Sequence, residues 1–408
     1  MSGVLFLAHR VPFPPDRGDK IRSHHVLKAL AARGPVHVGC FAETATDRAA
    51  EPYLASVAET WCMPIRSKPL ALAGMEALLR RGPVSLAAFR NRRLAEWVTR
   101  TLEGHRIEAI YVFSGQMGQY VPADWTGRLL VDLVDVDSAK FEAYARERRA
   151  PMRWIDAREA RLLRREEARL AERADQTLLV TEAEAALFRS RLPEPSRCGV
   201  GVLGNGIDAA LFDPERVQPH PELATAGPHF VFTGQMDYKP NVDAAVRAID
   251  HLMPEIRAVH RFAQFHVVGR KPAAELVARH GANGARVWGE VADVRPFLAG
   301  ADVVLVPLSI ARGVQNKVLE AMAMARPVLV TPAAATGIAA RDGEHFAVAD
   351  TDVELIGRAF DLITRAEVAQ SMGAAARRLV LETMSWPAML ASLPGLLGAD
   401  PKGRRRAA

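Results

Sequence analysis

A chain of 408 residues is longer than one ordinary domain of roughly 100–200 residues, so two domains are expected. Its 49% apolar and 25% charged residues exclude a disordered or fibrous protein, its 6% aromatics are too few for a carbohydrate platform of stacked rings, and no run of roughly 18 apolar residues is present to span a membrane. The net charge of +6 is carried by the first half: residues 1–200 hold 31 Lys and Arg against 25 Asp and Glu, whereas residues 201–408 hold 22 of each.

Four of the later cations lie in the tail "PKGRRRAA", so a basic first domain and a slightly acidic second one are expected to meet different partners. Cys40, Cys62 and Cys198 have no C-x-x-C spacing, which fits a reducing cytoplasm. The opening "MSGVLFLAHRVPFPP" has too short an apolar run for a signal peptide and is predicted to be a first strand.

Short β-branched runs then alternate with helical periods: "VLFLAH" (4–9), "VHVGCF" (36–41), "AIYVFS" (109–114), "RLLVDLVD" (128–135) and "QTLLVT" (176–181). Between the first two, Val26, Leu27 and Leu30 share one helical face and Gly34 is a stop signal. A second series follows: "HFVFTG" (229–234), "QFHVVGR" (264–270), "ARVWGE" (285–290), "DVVLVPL" (302–308) and "RPVLVTP" (326–332), with a helical stretch after Asp350. The predicted class is α/β, two Rossmann-like doubly wound parallel sheets facing a cleft, and the default ligand site is the crevice at the carboxyl ends of the strands. The expected limits are 1–195 for an acceptor-binding domain, 196–375 for a nucleotide-sugar-binding domain, and 376–408 for a helix returning toward the first domain plus the basic tail.

Three strand ends carry candidate chemistry. In "HRVPFPPDRGDKIRSHH", Gly18 and Asp19 open the first helix, where backbone N–H groups can approach an anion and Arg17, Lys20 and Arg22 add charge; a solvated loop is the competing reading. In "FTGQMDYKPNVDAAVRAI", Gly234 ends a strand, Lys239 lies in the loop, and Asn241 or Asp243 is the expected cap. In "ARGVQNKVLEAMAMARPV", Asn316 is the expected N-cap, Val318, Leu319 and Met322 the buried face, and Glu320 falls in the first turn, where the helix dipole favours an anion. Arg312, Asn316 and Lys317 crowded beside Glu320 point instead to a polar ligand.

These stretches carry a resemblance. "KVLEAMAMARPVLVTP" is similar to the "LEAMAxGxPVV" signature of retaining family 4 glycosyltransferases of the GT-B fold, and "LGNGID", "FTGQMDYKPN", "VVGR", "WGEVADVRPFLAGADVVLVP" and "VTEAEAALF" resemble further family motifs in family order, so that nearly the whole chain is covered. More narrowly, "DYKPNVDA" and "ARGVQNKVLEAMAMARPV" resemble a bacterial, exosortase-linked (PEP-CTERM) sugar transferase group associated with exopolysaccharide gene clusters. The resemblance implies a nucleotide-diphosphate sugar as donor substrate, with Glu320 on its ribose, Lys239 on its diphosphate, Glu290 and Val291 near its base, and Gly18 against its phosphates. Gly234, Gln235, Gly269, Arg270 and Leu319 complete the expected donor site; Asp137, with Ser138 and Ser114, is the expected acceptor side.

Two positions depart from the family pattern. Arg312 stands where the first carboxylate of Glu-x7-Glu is usual, and a donor-only guanidinium cannot replace an acceptor-only carboxylate. Gln235 replaces an arginine, a loss that Lys317 is expected to make good. Transfer through an oxocarbenium-like state loads charge on the departing phosphate, where fixed cations act most; retention is implied, and no cofactor or metal is expected.

"GVGVLG" (199–204) lacks the helix and acidic residue of a dinucleotide site, "DVD" (135–137) is not expected to hold a metal in this architecture, and His24 and His25 diverge on a helix. The segments 78–102 and 143–174 are Arg-rich with Trp97 or Trp154, and suggest an anionic membrane surface, hence a cytoplasmic protein peripheral on the inner membrane; a salt-bridged surface helix is the competing reading. Nucleic acid is not an expected partner, since the cations are not interleaved with stacking aromatics. The expected activity is sugar transfer to a glycan or polyprenyl-linked acceptor. A nucleotide-sugar epimerase and a non-catalytic nucleotide-sugar-binding protein are the alternatives.

Overall fold

The computed structural model describes residues 3–311 and 313–398. They form two units: residues 3–205 with 389–398, and residues 206–388.

In the first unit, β1 (Gly3–Ala8), β2 (Val36–Gly39), β3 (Thr60–Cys62), β4 (Ile107–Phe113), β5 (Arg128–Val134), β6 (Gln176–Leu179) and β7 (Val200–Val202) form a parallel sheet in the order β3-β2-β1-β4-β5-β6-β7. In the second, β8 (His229–Thr233), β9 (Gln264–Val268), β10 (Ala285–Gly289), β11 (Val303–Val306), β12 (Val328–Val330) and β13 (Ala347–Val348) are parallel in the order β10-β9-β8-β11-β12-β13. Both sheets are the doubly wound type expected from alternating apolar runs and helical periods. Strand order reverses between β1 and β4 in one and between β8 and β11 in the other, and such switch points open a crevice beyond the strand ends.

The expected limit at 195/196 falls within the turn Pro195–Arg197, while β7 still pairs with β6 and the units part after Asn205. The expected limit at 375/376 falls inside the helix Ala366–Leu379. The chain stays with the second unit to Ala388; the stretch after it lies in the first unit, where Arg128 Nε donates to the Leu396 carbonyl at 2.9 Å.

The helix Gly18–Ala31 buries Val26, Leu27 and Leu30, as its period demands, and also Lys20 and Arg22. Arg22 is 1% exposed and grips the buried Asp132 of β5 through two hydrogen bonds of 2.9 and 3.0 Å, with further bonds to the Gly204 carbonyl and Asn205 Oδ1. Lys20 Nζ lies 2.6 Å from Asp47. The expectation that Lys20 and Arg22 serve an anion at this helix is therefore corrected: Lys20 is consumed by buried Asp47 of the short helix Ala45–Ala49 and Arg22 by buried Asp132 of β5, and a buried cation stripped of its partner would cost roughly 3–5 kcal/mol.

In the second unit the buried polar chain has a fixed direction. Trp288 Nε1 donates to His266 Nδ1 at 3.1 Å, so His266 presents its Nε2–H to His229 Nδ1 at 3.0 Å, and His229 Nε2–H points to the Thr225 carbonyl at 3.1 Å. The His266 ring is neutral in this chain, since a second proton on it would face the Trp288 donor. Burial, then the nearby His229, push His266 down from 6.5 to about 3. The folded protein thus refuses a proton that the unfolded chain accepts: this stabilisation is complete above pH 6.5 and is lost as pH falls from there toward about 3. Thermal denaturation is expected to show a loss of about 2 kcal/mol between neutral pH and about pH 5, and a His266→Gln variant to show a flatter profile; equal slopes for parent and variant would rule the histidine chain out as the cause.

Candidate functional site

The strongest site lies beyond the switch point of the second sheet. β8 runs through Phe232 and Thr233 to Gly234, and the end of β9 comes so close to it that a Cβ on Gly269 would lie 1.6 Å from the Gly234 carbonyl oxygen. Only glycine permits that approach. A Cβ on Gly234 would in turn stand 2.9 Å from both Lys317 Nζ and Asn241 Nδ2.

Lys317 comes from the other side of the switch point. After β11 comes the helix Asn316–Ala323, which buries Val318, Leu319, Ala321 and Met322. Its second residue reaches back to β8: Lys317 Nζ donates to Asn241 Oδ1 at 2.6 Å and sits over the Phe232 ring, 4.5 Å from the centroid. Asn241 is held in turn by donating to the Gln235 carbonyl at 2.9 Å. Asn241 therefore lies within the helix Lys239–Arg247 as a brace for the lysine, with Tyr238 at the N-cap position. The expected capping by Asn241 or Asp243 is corrected, as is that by Asn316, which is the exposed first residue of a helix whose N-cap position is Gln315.

No carboxylate among the described residues forms an ion pair with Lys317. Burial pushes its ammonium down to about 8, against a partial opposing pull from Glu320. Burial also pushes the Glu320 carboxyl up to about 7, with Lys317 opposing it, and that carboxyl has no hydrogen-bond partner among the described residues. Glu320 is the fifth residue of its helix, so the dipole reading is corrected too, because that effect fades within the first turn. A cation without an ion pair among the described residues thus lies at the end of β8, with an acid near enough to Lys317 to oppose its shift.

The surroundings are polar. Arg270 Nη2 donates to Gln235 Oε1 at 3.2 Å, Gln235 Nε2 to Asp237 at 2.6 Å, and Met236 N to the Arg270 carbonyl at 2.9 Å. Gly269 N donates to the Gly289 carbonyl at 2.9 Å, which places exposed Glu290 and half-buried Val291 just past the end of the adjacent β10. The structure brings Gly234, Gln235, Gly269, Arg270 and Lys317 to one set of strand ends, with Glu320 interacting with Lys317 and Leu319 buried on the same helix. Lys239 is different: its ammonium is exposed and pairs with Asp243 one turn along its own helix. Arg312 lies outside the described residues.

In the first unit Gly18 is the first residue of its helix, with open space where a Cβ would stand. Ser114 and Val134, at the ends of the adjacent β4 and β5, have φ of 76° and 68°. Both are strained, the β-branched valine most. Ser114 Oγ donates to Gln116, whose Nε2 lies 3.3 Å from Asp137. Ser138 is fully buried and bonded to Glu167 through both N and Oγ, at 2.9 and 2.5 Å, and it accepts from Arg191. Burial carries the Glu167 carboxyl up to about 7 although the Ser138 bonds oppose it. Ser138 is therefore a partner of Glu167 and is closed to a ligand, which corrects its place on the acceptor side; Asp137 stays half-exposed.

A cluster that sequence reasoning missed lies past β1 and β2. Arg10 bonds Asp19 at 2.6 Å and Glu43 at 2.9 Å, Arg66 bonds Glu43 at 2.6 Å, and His9 Nε2 stands 3.2 Å from Asp19. Burial raises Asp19, but the bonds from His9 and Arg10 outweigh it and hold the carboxyl well below the usual range. The one available signal was position, since Arg10 and Glu43 each follow closely on a strand end.

Residues 227–364 match a family model. That family is the glycosyl transferases group 1. Solved structures extend the likeness to the whole chain. The Anabaena protein Alr3699/HepE in complex with UDP and glucose is 14% identical, with a TM-score of 0.60 over 98% of this chain and 100% of that one. A sucrose-phosphate synthase from Thermosynechococcus elongatus is 17% identical, TM-score 0.60, over 97% and 98%. WaaG, a glycosyltransferase involved in lipopolysaccharide biosynthesis, is 17% identical, TM-score 0.56, over 97% and 100%. No curated protein sequence matches. The fold is that of the GT-B glycosyltransferases, and the group 1 match spans β8 to β13 with the Lys317 site.

Within the group 1 region, Gly269→Ala is expected to drive β8 and β9 apart at their ends and to lower stability by roughly 1–3 kcal/mol. Gly234→Ala is expected to lower stability as well, since its φ of 157° strains any side chain and its Cβ would displace both Lys317 and Asn241. Denaturant midpoints check both variants, and a parental midpoint for either would contradict the packing described.

Proposed function

We propose that this protein is a glycosyltransferase that moves a sugar from a nucleotide-diphosphate sugar to a polysaccharide or lipid-linked glycan precursor, with retention, in exopolysaccharide synthesis. The observation that carries the reading is the half-buried Lys317 ammonium at the β8/β11 switch point, paired with no carboxylate among the described residues. A buried cation without a counter-ion is costly, and an anionic ligand removes that cost. The group 1 family match and the UDP and UDP-glucose complexes of Anabaena HepE support a sugar diphosphate as that anion, with UDP-sugars the first donors to test.

In this reading Lys317 neutralises the charge that gathers on the departing diphosphate as the anomeric C–O bond breaks. The acceptor oxygen forms the new bond on the same face, and its proton leaves with the diphosphate. Ionised Glu320 accepts the ribose hydroxyls, Arg270 and Gln235 line the phosphates, and Glu290 and Val291 lie toward the base. Lys239 gives long-range attraction from solvent, while Arg312 answers the donor sugar. Asp137 orients the acceptor. Neither a cofactor nor a metal is part of the proposal, and the protein works in the cytoplasm against the inner membrane.

Acceptor-dependent release of nucleotide diphosphate from a panel of UDP-, GDP- and ADP-sugars tests the reading; acceptor-independent conversion would establish an epimerase, and binding without turnover a sensor. Lys317→Met is expected to lower kcat/KM about 100-fold, and Lys239→Ala less than about tenfold because its charge is solvent-screened. Lys317 acts protonated and Glu320 ionised, so kcat/KM should fall above about 8 and below about 7. A flat profile across that range would contradict both roles.

A further inference from the structure

The helix Leu70–Leu79 is packed inside out. It buries Ala73 and Ala77 against Ala87 and Ala88 of the next helix, Val84–Ala88, and leaves Leu70, Leu72, Met75, Leu78 and Leu79 between 51% and 86% exposed. A surface helix stabilised by its own packing places its leucines inward and small or polar residues outward. Here the large apolar side chains, which gain most from leaving water, are the ones left in it.

The patch continues onto a second element. Arg158 Nη2 donates to the carbonyls of Ala77 and Gly82 at 3.1 and 3.2 Å, and Glu159 accepts from the amides of Val84 and Ser85, both at 2.8 Å. These bonds fix the helix Met152–Arg173 against the end of Leu70–Leu79. One turn before Arg158, on the same helical face, Trp154 is 69% exposed, and Ile155 beside it is 48% exposed. Arg80, Arg81, Arg149 and Arg153 around these residues are exposed. Of the nearby acids, Glu76 pairs with Lys68 at 2.8 Å and with Arg80 at 3.2 Å, and Asp156 with Arg148 at 3.2 Å, which leaves Arg81, Arg149 and Arg153 without an ion pair among the described residues.

We infer that the outer face of Leu70–Leu79, with Trp154 at its margin, is an insertion surface for an anionic lipid bilayer. Leucines and methionine enter the acyl boundary, the indole sits at the headgroup level, and the arginine rim meets lipid phosphates. Charge decides against a second copy of the chain, since a two-fold contact through this patch would set its arginine rim against itself. The inference names the surface behind the peripheral location proposed above and does not depend on the transferase chemistry. It extends the sequence expectation, in which the segments 78–102 and 143–174, Arg-rich with Trp97 or Trp154, meet the membrane, by the apolar face of residues 70–77 that those segments left out.

Vesicle sedimentation of the full chain, without donor or acceptor, is the test. The parent is expected to bind phosphatidylglycerol-containing vesicles at least about tenfold more tightly than phosphatidylcholine vesicles, and Leu72→Ser/Leu79→Ser to lose about tenfold or more of that affinity. Both leucines are exposed, so an unchanged melting temperature is expected to accompany the loss. Trp154→Phe should remove a blue shift in emission on adding the anionic vesicles. Equal sedimentation with the two lipids, or parental binding by the double variant, would overturn the inference. So would a concentration-dependent dimer, abolished by the double variant, in a chain that does not bind vesicles.

Discussion

The end of β8 is the point on which the second unit's chemistry depends. Gly269 and Gly234 touch backbone to backbone, and this contact leaves a bare strand end into which Lys317 can reach from beyond β11. Asn241 then fixes the ammonium by accepting from it while donating to the Gln235 carbonyl. A larger residue at either glycine would occupy the lysine's place or separate the strands. The consequence is electrostatic: a positive charge held out of water by neutral partners attracts an anion more strongly than any exposed lysine does.

The contrast with the first unit sharpens this point. Its strand-end cations, Arg10, Lys20 and Arg22, are matched to Asp19, Glu43, Asp47 and Asp132 by short bonds. The buried pairs Arg22–Asp132 and Lys20–Asp47 specify packing and leave little field for a ligand, and half-buried Arg10 is matched by two carboxylates. Ser138 is likewise spent on Glu167. The excess of basic residues in the first half of the chain is therefore largely spent on carboxylates at its strand ends, whereas Arg81, Arg149 and Arg153 form no ion pair among the described residues and are exposed near the leucines of Leu70–Leu79.

The architecture was legible because buried parallel strands leave continuous β-branched runs, and each predicted run overlaps an observed strand. Strands β3, β7 and β13 have three residues or fewer and lack the continuous β-branched run that marks the equally short β12. Within the site, the crowding of Lys317 and Glu320 was visible as letters, and so was the likeness to family motifs. What local reading could not supply was partnership. Asn241 looks like a cap until a lysine 76 residues later is seen to need it, and Arg22 looks free until Asp132, 110 residues away, is found beneath it. Lys239 has the motif position of a phosphate ligand but spends its charge on Asp243, a partner one helical turn away.

The central claim is that Lys317 binds a diphosphate as an ammonium whose proton is weakly held in the free protein. Titration calorimetry of UDP in buffers of different ionisation enthalpy measures it directly. At about pH 8.5, half a unit above the value of about 8 for the free lysine, binding is expected to take up roughly three quarters of a proton, and none in Lys317→Met. Tight binding with no proton uptake, or the same uptake in the variant, would show that the anion is held elsewhere.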